Sequence, residues 1–357
     1  MVHAATTAER IVSISFASPD EIVDLGDDPT VVHTLHNERI LGHAVHAVSQ
    51  GAAIGSATVI DALDARHEEV MRQSMQIEVA GLEVAQALSS LGIEYRVLKG
   101  MALAHTAYPD PSLRSFRDVD VLVRSNQIDR AVAQLLAMGA VRLQPELREG
   151  YDARFAKSVT FRLDRVEIDL HRVLSPGPFG VWSAPSELFL LPRQYEVAGQ
   201  TLDTLDPTDH LVHACYHVAL GQVTPVLANL FDVAALATSE SNDIDFDRFT
   251  ETITRWRGAA VIKRAVRLVE ARIEVELPEA MEAYRYQPVS RRELDMIAPY
   301  LTEDPAGRFA ALAPSTLKAL PLADRAAFAL AVGLPAGSDP KERARSLVGR
   351  VRQMRSR

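Results

Sequence analysis

The chain has 357 residues, of which 47% are hydrophobic and 24% charged, an ordinary globular composition long enough for two or three packed units. Its net charge of −9 argues against a general nucleic-acid binder, which presents a basic excess. The single cysteine, Cys215, excludes an intrachain disulfide and makes a thiolate zinc site improbable. The first ten residues lack the basic flank and apolar run of a signal peptide. No uncharged apolar window reaches membrane-spanning length. A cytoplasmic protein without a membrane span is expected.

In chain order, Ala17-Ser18-Pro19-Asp20-Glu21 reads as a turn leading into a helix. From about Val31 to Leu91 the apolar spacing is helical (Leu41, Val45, Val48, Val70, Met75, Val79, Leu82), broken near Gly51 and Gly55. Tyr95-Arg96-Val97-Leu98 is a short strand ended by Lys99-Gly100, and Met101 to Tyr108 is a short helix. Pro109-Asp110-Pro111 is a loop. Val119 to Val123 alternates as a strand, and Gln127 to Met138 is an amphipathic helix closed by Gly139. Val159 to Leu163 and Val166 to Leu170 form a hairpin around Asp164-Arg165. After Asp206-Pro207 the pattern is helical, with further helices near 225–238, 246–271, 278–302 and 315–333. Gly337-Ser338-Asp339-Pro340 is a linker signal, and Lys341 to Arg357 is a basic segment. The expected organisation is a helical unit over 1–91, a small mixed α/β unit over 92–200, a helical domain over 201–336 and a basic tail over 337–357.

The chemistry centres on Arg117-Asp118-Val119-Asp120-Val121-Leu122-Val123. Residues two apart on a strand share a face, so Asp118 and Asp120 converge while Val119, Val121 and Val123 face the core. Two such carboxylates repel each other, and a divalent cation resolves the conflict. The plain alternative is a solvated edge strand. Val166-Glu167-Ile168-Asp169-Leu170-His171 strengthens the metal reading by offering a third acid, Asp169, on a face shared with Glu167 and His171. At Leu98-Lys99-Gly100 a strand gives way to a helix, where a glycine and free N–H groups can meet a phosphate; an ordinary turn is the alternative. Arg114 and Arg117 flank the first aspartate, either to bind phosphate or to neutralise the acids.

Together these segments resemble the nucleotidyltransferase superfamily: a glycine turn, an Asp-x-Asp strand and a third acid on a later strand. LKGMALAHTAYPDPSLRSFRDVDVLV, VEIDLH and DHLVHACYHVAL are similar to the "uncharacterised nucleotidyltransferase" family over roughly residues 80–240. The resemblance implies an α/β (α+β) nucleotidyltransferase core with a small mixed sheet, between N-terminal helices and a C-terminal helical bundle. It implies transfer of a nucleoside monophosphate from a triphosphate, expected to be ATP, to a hydroxyl or similar group on a small molecule, peptide or protein. Asp118, Asp120 and Asp169 would hold Mg²⁺, two ions being expected, with Asp169 also deprotonating the acceptor. Gly100 would line the triphosphate, helped by Lys99, Arg114 and Arg117. The acidic balance argues against a polynucleotide acceptor. Met101 stands where the superfamily has a serine, and the span from Gly100 to Asp118 is longer than usual. These departures leave a second reading, a degenerate module that binds nucleotide or a protein partner without turnover.

His210, His213 and His217 share one helix face. One helix rarely supplies three ligands to one metal, so this face is expected to pack on the catalytic sheet, with His213 or His217 near substrate. Asp232, in a largely apolar helix, is expected to pair with a cation.

Overall fold

The computed structural model describes residues 6–16, 22–183, 185–302 and 304–333. The turn read at 17–21 and the linker and basic tail after 333 lie outside them.

The N-terminal part comprises α1 (Thr7–Ser13), β1 (Val23–Asp24), α2 (Thr30–Asn37), α3 (Leu41–Ser49), β2 (Ala53–Ile54) and α4 (Ala57–Ser90). Gly51, at φ 70°, follows α3, and Ser56 caps α4 by accepting from the Val59 amide. The α2–α3 break was not legible, because it turns on Arg39 at φ 59° and not on glycine. α4 joins the two cores of the molecule. Its first half buries Val59, Leu63 and Val70 with the helical parts, and its second half buries Ile77, Val84 and Leu88 under the sheet.

The strand-bearing part runs β3 (Tyr95–Leu98), α5 (Lys99–Thr106), β4 (Asp118–Val123), α6 (Ile128–Ala137), β5 (Val141–Arg142), α7 (Tyr151–Arg154), β6 (Ser158–Leu163), β7 (Val166–His171), α8 (Gly177–Trp182), β8 (Pro192–Val197) and β9 (Gln200–Leu205). These make one mixed sheet of seven strands in the order β5-β6-β7-β4-β3-β9-β8. β4 runs parallel to β7 and antiparallel to β3. One face buries Val97, Val119, Val121, Val123, Ile168 and Leu170 against α4, α5 and α6. The opposite face carries the acids.

The expected hairpin around Asp164-Arg165 is present as β6–β7, with Asp164 at φ 52°. The β8–β9 hairpin is an addition to the sequence reading. Its turn, Ala198-Gly199, takes φ 49° and 76°. Because β9 pairs with β3, the sheet continues to Leu205, past the boundary placed at 200.

The helical part comprises α9 (Pro207–Gly221), α10 (Leu227–Thr238), α11 (Phe246–Arg255), α12 (Ala259–Glu270), α13 (Glu279–Tyr286), α14 (Arg291–Ile297), α15 (Pro305–Ala319) and α16 (Leu322–Gly333). The single helix read over 246–271 is two helices. Arg257 at φ 56° breaks it, and a Cβ on Gly258 would lie 2.2 Å from the Tyr216 hydroxyl. The helix read over 278–302 is likewise divided into α13 and α14. Among the described residues no helix is long and apolar enough to cross a membrane.

One contact fixes the loop before β4. A Cβ on Gly42, in α3, would meet the Ser112 carbonyl oxygen at 2.2 Å. Gly42→Ala is therefore expected to destabilise the protein by about 1–3 kcal/mol. A urea midpoint equal to that of the wild type would show that α3 and the loop are not held this closely.

Candidate active site

The acids converge because β4 and β7 run parallel in register. Asp118 lies opposite Glu167, Asp120 opposite Asp169, and Leu122 opposite His171. With alternation along each strand, Asp118, Asp120, Asp169 and His171 project from one face. The Asp120, Asp169 and His171 donor atoms all lie within 4.8 Å of one another.

Each acid has a different environment. Asp120 is 4% exposed; its Oδ1 lies 3.0 Å from the Lys99 Nζ and 2.7 Å from the His171 Nε2. Burial opposes its charge, but Lys99 and His171 hold its carboxyl well below the ordinary range. Asp169 is half-buried and accepts a hydrogen bond of 2.6 Å from the Thr160 hydroxyl, across the β6–β7 pair. The Asp118 carboxylate has no hydrogen-bond partner among the described residues. Burial and the neighbouring Asp120 charge push its carboxyl up to about 6. That is the signature of carboxylates crowded without enough compensating charge. A divalent cation would supply that charge, and carboxylate oxygens are the donors magnesium prefers. By geometry the set that fits such an ion is Asp120, Asp169 and His171, whose donor atoms meet; Asp118 stands next to it on β4, outside that group.

The glycine turn has partners that the sequence did not show. Lys99, at φ 42°, begins α5, and its backbone N–H donates to the His210 Nε2 at 3.2 Å. That amide is occupied by an imidazole. Gly100 is required by packing, since a Cβ there would meet the Phe116 Cβ at 2.6 Å. Met101 is 1% exposed and lies against Gly81 of α4, so the position after the glycine points into the core.

The arginines separate. Arg114 is 3% exposed, and its Nε and Nη2 each donate to an Asp232 carboxylate oxygen at 2.8 Å. It also donates to the Ser115 carbonyl at 2.5 Å, and Tyr108 donates its hydroxyl to Asp232 at 2.7 Å. Arg114 is thus committed to α10 and has little left for a phosphate. Asp232 pairs with a cation, as its setting suggested. Arg117 is exposed beside Asp118, without a hydrogen-bond or ion-pair partner among the described residues.

On α9, His210, His213 and His217 form a stepped stack, with ring centroids 6.2 and 6.4 Å apart. Burial, and then the Lys99 charge, hold His213 and His217 well below the ordinary imidazole range. They stand neutral over the acid face, and the His213 Nδ1 is buried with no partner among the described residues.

The sequence reading left four neighbours unassigned. His171 was placed on the acid face by its period-2 spacing after Asp169 but was given no role. Thr160, Lys157 and Arg39 carry no local signal, because strand pairing and packing bring them to the acids. Lys157 precedes β6. Burial and the Lys99 charge pull its ammonium below the ordinary value. It also lines a small cleft with Arg172, Ser175 and Thr316.

Two buried histidines make a pH prediction. Burial holds both His43 and His210 down to about 3. Each stays neutral in the fold, whereas the unfolded chain takes up its proton near pH 6.5. Stability is therefore fully present above pH 6.5 and is lost as pH falls towards 3, by about 2–3 kcal/mol per pH unit from these two groups. Thermal melts at pH 7.5 and 5.5 would check this; equal melting temperatures would mean that the imidazoles are hydrated.

No curated protein sequence matches the chain. A crystal structure of an antigenic nucleotidyltransferase-like protein from Paracoccidioides brasiliensis is similar over 57% of this chain and 95% of that one, at 18% identity and a TM-score of 0.35. The family model described as "Uncharacterised nucleotidyltransferase" matches residues 25–273, which include both acid strands, the Lys99-Gly100 turn and the α9 histidines. With that match over more than half its length, the chain belongs to the uncharacterised nucleotidyltransferase family.

Proposed function

We propose that the protein transfers a nucleoside monophosphate from a nucleoside triphosphate, ATP first among the candidates, to an acceptor hydroxyl on a small molecule, peptide or protein. The observation that carries this reading is the registered set of Asp118, Asp120 and Asp169 on two neighbouring parallel strands. Asp118 and Asp120 would hold Mg²⁺, with Asp169 completing one of two ion sites. Bound magnesium supplies Lewis-acid polarisation of the α-phosphate and neutralises the leaving pyrophosphate. Asp169, steadied by Thr160, takes the acceptor proton. His171 and Lys99 fix the Asp120 carboxylate, as partners behind a metal ligand do. His213 and His217 present neutral imidazoles to the bound nucleotide.

A second reading has its own support. The core placement of Met101 and the occupied Lys99 amide both remove phosphate contacts expected of the superfamily turn. In that reading the protein binds a nucleotide without turning it over. The test is to incubate protein, Mg²⁺ and each α-labelled triphosphate with fractionated cell extract, following pyrophosphate release and label transfer. Transfer by wild type that is absent with Asp169→Asn supports the enzyme. Triphosphate binding without pyrophosphate release in any fraction supports the module.

A further inference from the structure

Four cations surround the acid face, and one of them is neutralised. Lys99 pairs with Asp120 at 3.0 Å. The side chains of Arg39, Arg117 and Lys157 have no hydrogen-bond or ion-pair partner among the described residues. Leaving a largely buried guanidinium unpaired is costly unless an anion arrives.

Arg39 is the most deliberately placed. It sits between α2 and α3, in the part of the chain outside the strand-bearing core, yet its charge acts on Asp118, Arg117 and Arg114. Its backbone takes φ 59°, a conformation that side-chain-bearing residues rarely adopt. Lys99, the other cation beside the acids with positive φ, stands at 42°. Such strain persists where surrounding contacts enforce it. Here the enforcement is explicit. The Arg39 amide donates to the His36 carbonyl at 3.0 Å, and the next residue, Ile40, is fully buried. The preceding Glu38 accepts from the Leu227 amide at 2.7 Å and from Arg272 at 2.9 Å. The Ala228 amide donates to the Glu38 carbonyl at 3.2 Å. α10 and Arg272, just past the end of α12, thus clamp the turn that presents Arg39. Burial and the like charges of Arg114 and Arg117 push its guanidinium down to about 10, against the opposing pull of Asp118 and Asp232.

The unpaired cations also lie at opposite ends of the acid row. Arg117 precedes Asp118 at the start of β4, and Arg39 is beside that end. Lys157 lies beyond the pairing of Ser158 with His171, at the far end of β7. Asp118 and His171 are four residues apart in register, roughly 13 Å along the strand direction. Phosphoryl transfer places attacking and leaving oxygens roughly in line. The acceptor oxygen forms the new bond to the α-phosphorus, its proton passes to Asp169, and the bond to the β-phosphate oxygen breaks with its electron pair leaving on pyrophosphate. A row with cations at both ends suits that polarity.

We infer that Arg39, with Arg117, binds the pyrophosphate portion of the triphosphate at the Asp118 end of the row, so that the helical N-terminal part completes the substrate site. This rests on the nucleotidyl-transfer reading above. The test is calorimetric titration of wild type, Arg39→Gly and Arg117→Gln with magnesium pyrophosphate, and separately with AMP. Glycine suits the left-handed backbone, so Arg39→Gly should melt at or above the wild-type temperature. The expected result is at least tenfold weaker pyrophosphate binding in both variants, with AMP affinity unchanged. Wild-type binding of pyrophosphate that Arg39→Gly leaves within twofold would overturn the assignment and leave nucleotidyl transfer standing. Wild type that binds neither pyrophosphate nor any triphosphate would overturn both.

Discussion

Replacing the three acids one at a time should abolish transfer in every case while moving stability in different directions. Each replacement with asparagine is expected to lower turnover by about 10³-fold or more, because in the proposed reaction each acid serves charge developing at the phosphate. Stability without metal should separate them. Asp120→Asn removes the carboxylate that pairs with both Lys99 and His171, leaving a poorly compensated ammonium, and should cost about 3 kcal/mol. Its carboxyl is held low in the fold, so the stability it supplies is present at neutral pH and is lost on acidification. Asp118 has the opposite sign. Its carboxyl is raised to about 6, so the ionised form opposes folding once pH exceeds its unfolded value near 4, and fully so above 6. Asp118→Asn should therefore stabilise the metal-free protein at pH 7.5, by about 1–3 kcal/mol. Asp169→Asn keeps an acceptor for Thr160 and should change stability little. Denaturant titrations without and with Mg²⁺ read all three; the same stability change in every variant would mean that the acids are not differently held.

The second large effect is expected at Arg114. Its ion pair with Asp232 is buried on both sides, at 4% side-chain exposure each, and is bidentate. Removing one partner of such a pair leaves an uncompensated buried charge, so Arg114→Ala and Asp232→Ala should each cost about 3–5 kcal/mol. The paired change Arg114→Met with Asp232→Leu should recover most of that loss, because it removes both charges and keeps the volume. The pair ties the loop before β4 to α10, and Tyr108 joins the same carboxylate. Unfolding midpoints for the singles and the double form the cycle. If Arg114 were instead a free phosphate ligand, Arg114→Ala would leave the midpoint near wild type and weaken triphosphate binding.

The acid strands were legible because their signal is local. In DVDVLV and VEIDLH a period of two puts acids on one face and aliphatic residues on the other, and the structure buries the aliphatic set as expected. Their meeting in register was an inference from chemistry, since no spacing dictates which strands pair. Arg39 and Lys157 were illegible for the complementary reason. An arginine in a left-handed turn carries no sequence signature, and a lysine before a strand resembles any surface lysine. Gly100 has a second requirement that sequence does not show: besides suiting a phosphate at a helix start, it leaves room for Phe116. Arg114 was read for its position in sequence, whereas its chemistry was decided by Asp232, which the fold brings from α10.

The central claim is that Asp118, Asp120 and Asp169 form a metal-dependent triphosphate site. Calorimetric titration with each of the four common triphosphates, with and without Mg²⁺, tests it most directly, comparing wild type with the Asp118→Ala, Asp120→Ala double variant. The expected result is Mg²⁺-dependent binding of at least one triphosphate by wild type, lost in the double variant. Folded wild-type protein that binds none of the four with Mg²⁺ present, or a double variant that binds as tightly as wild type, would contradict it.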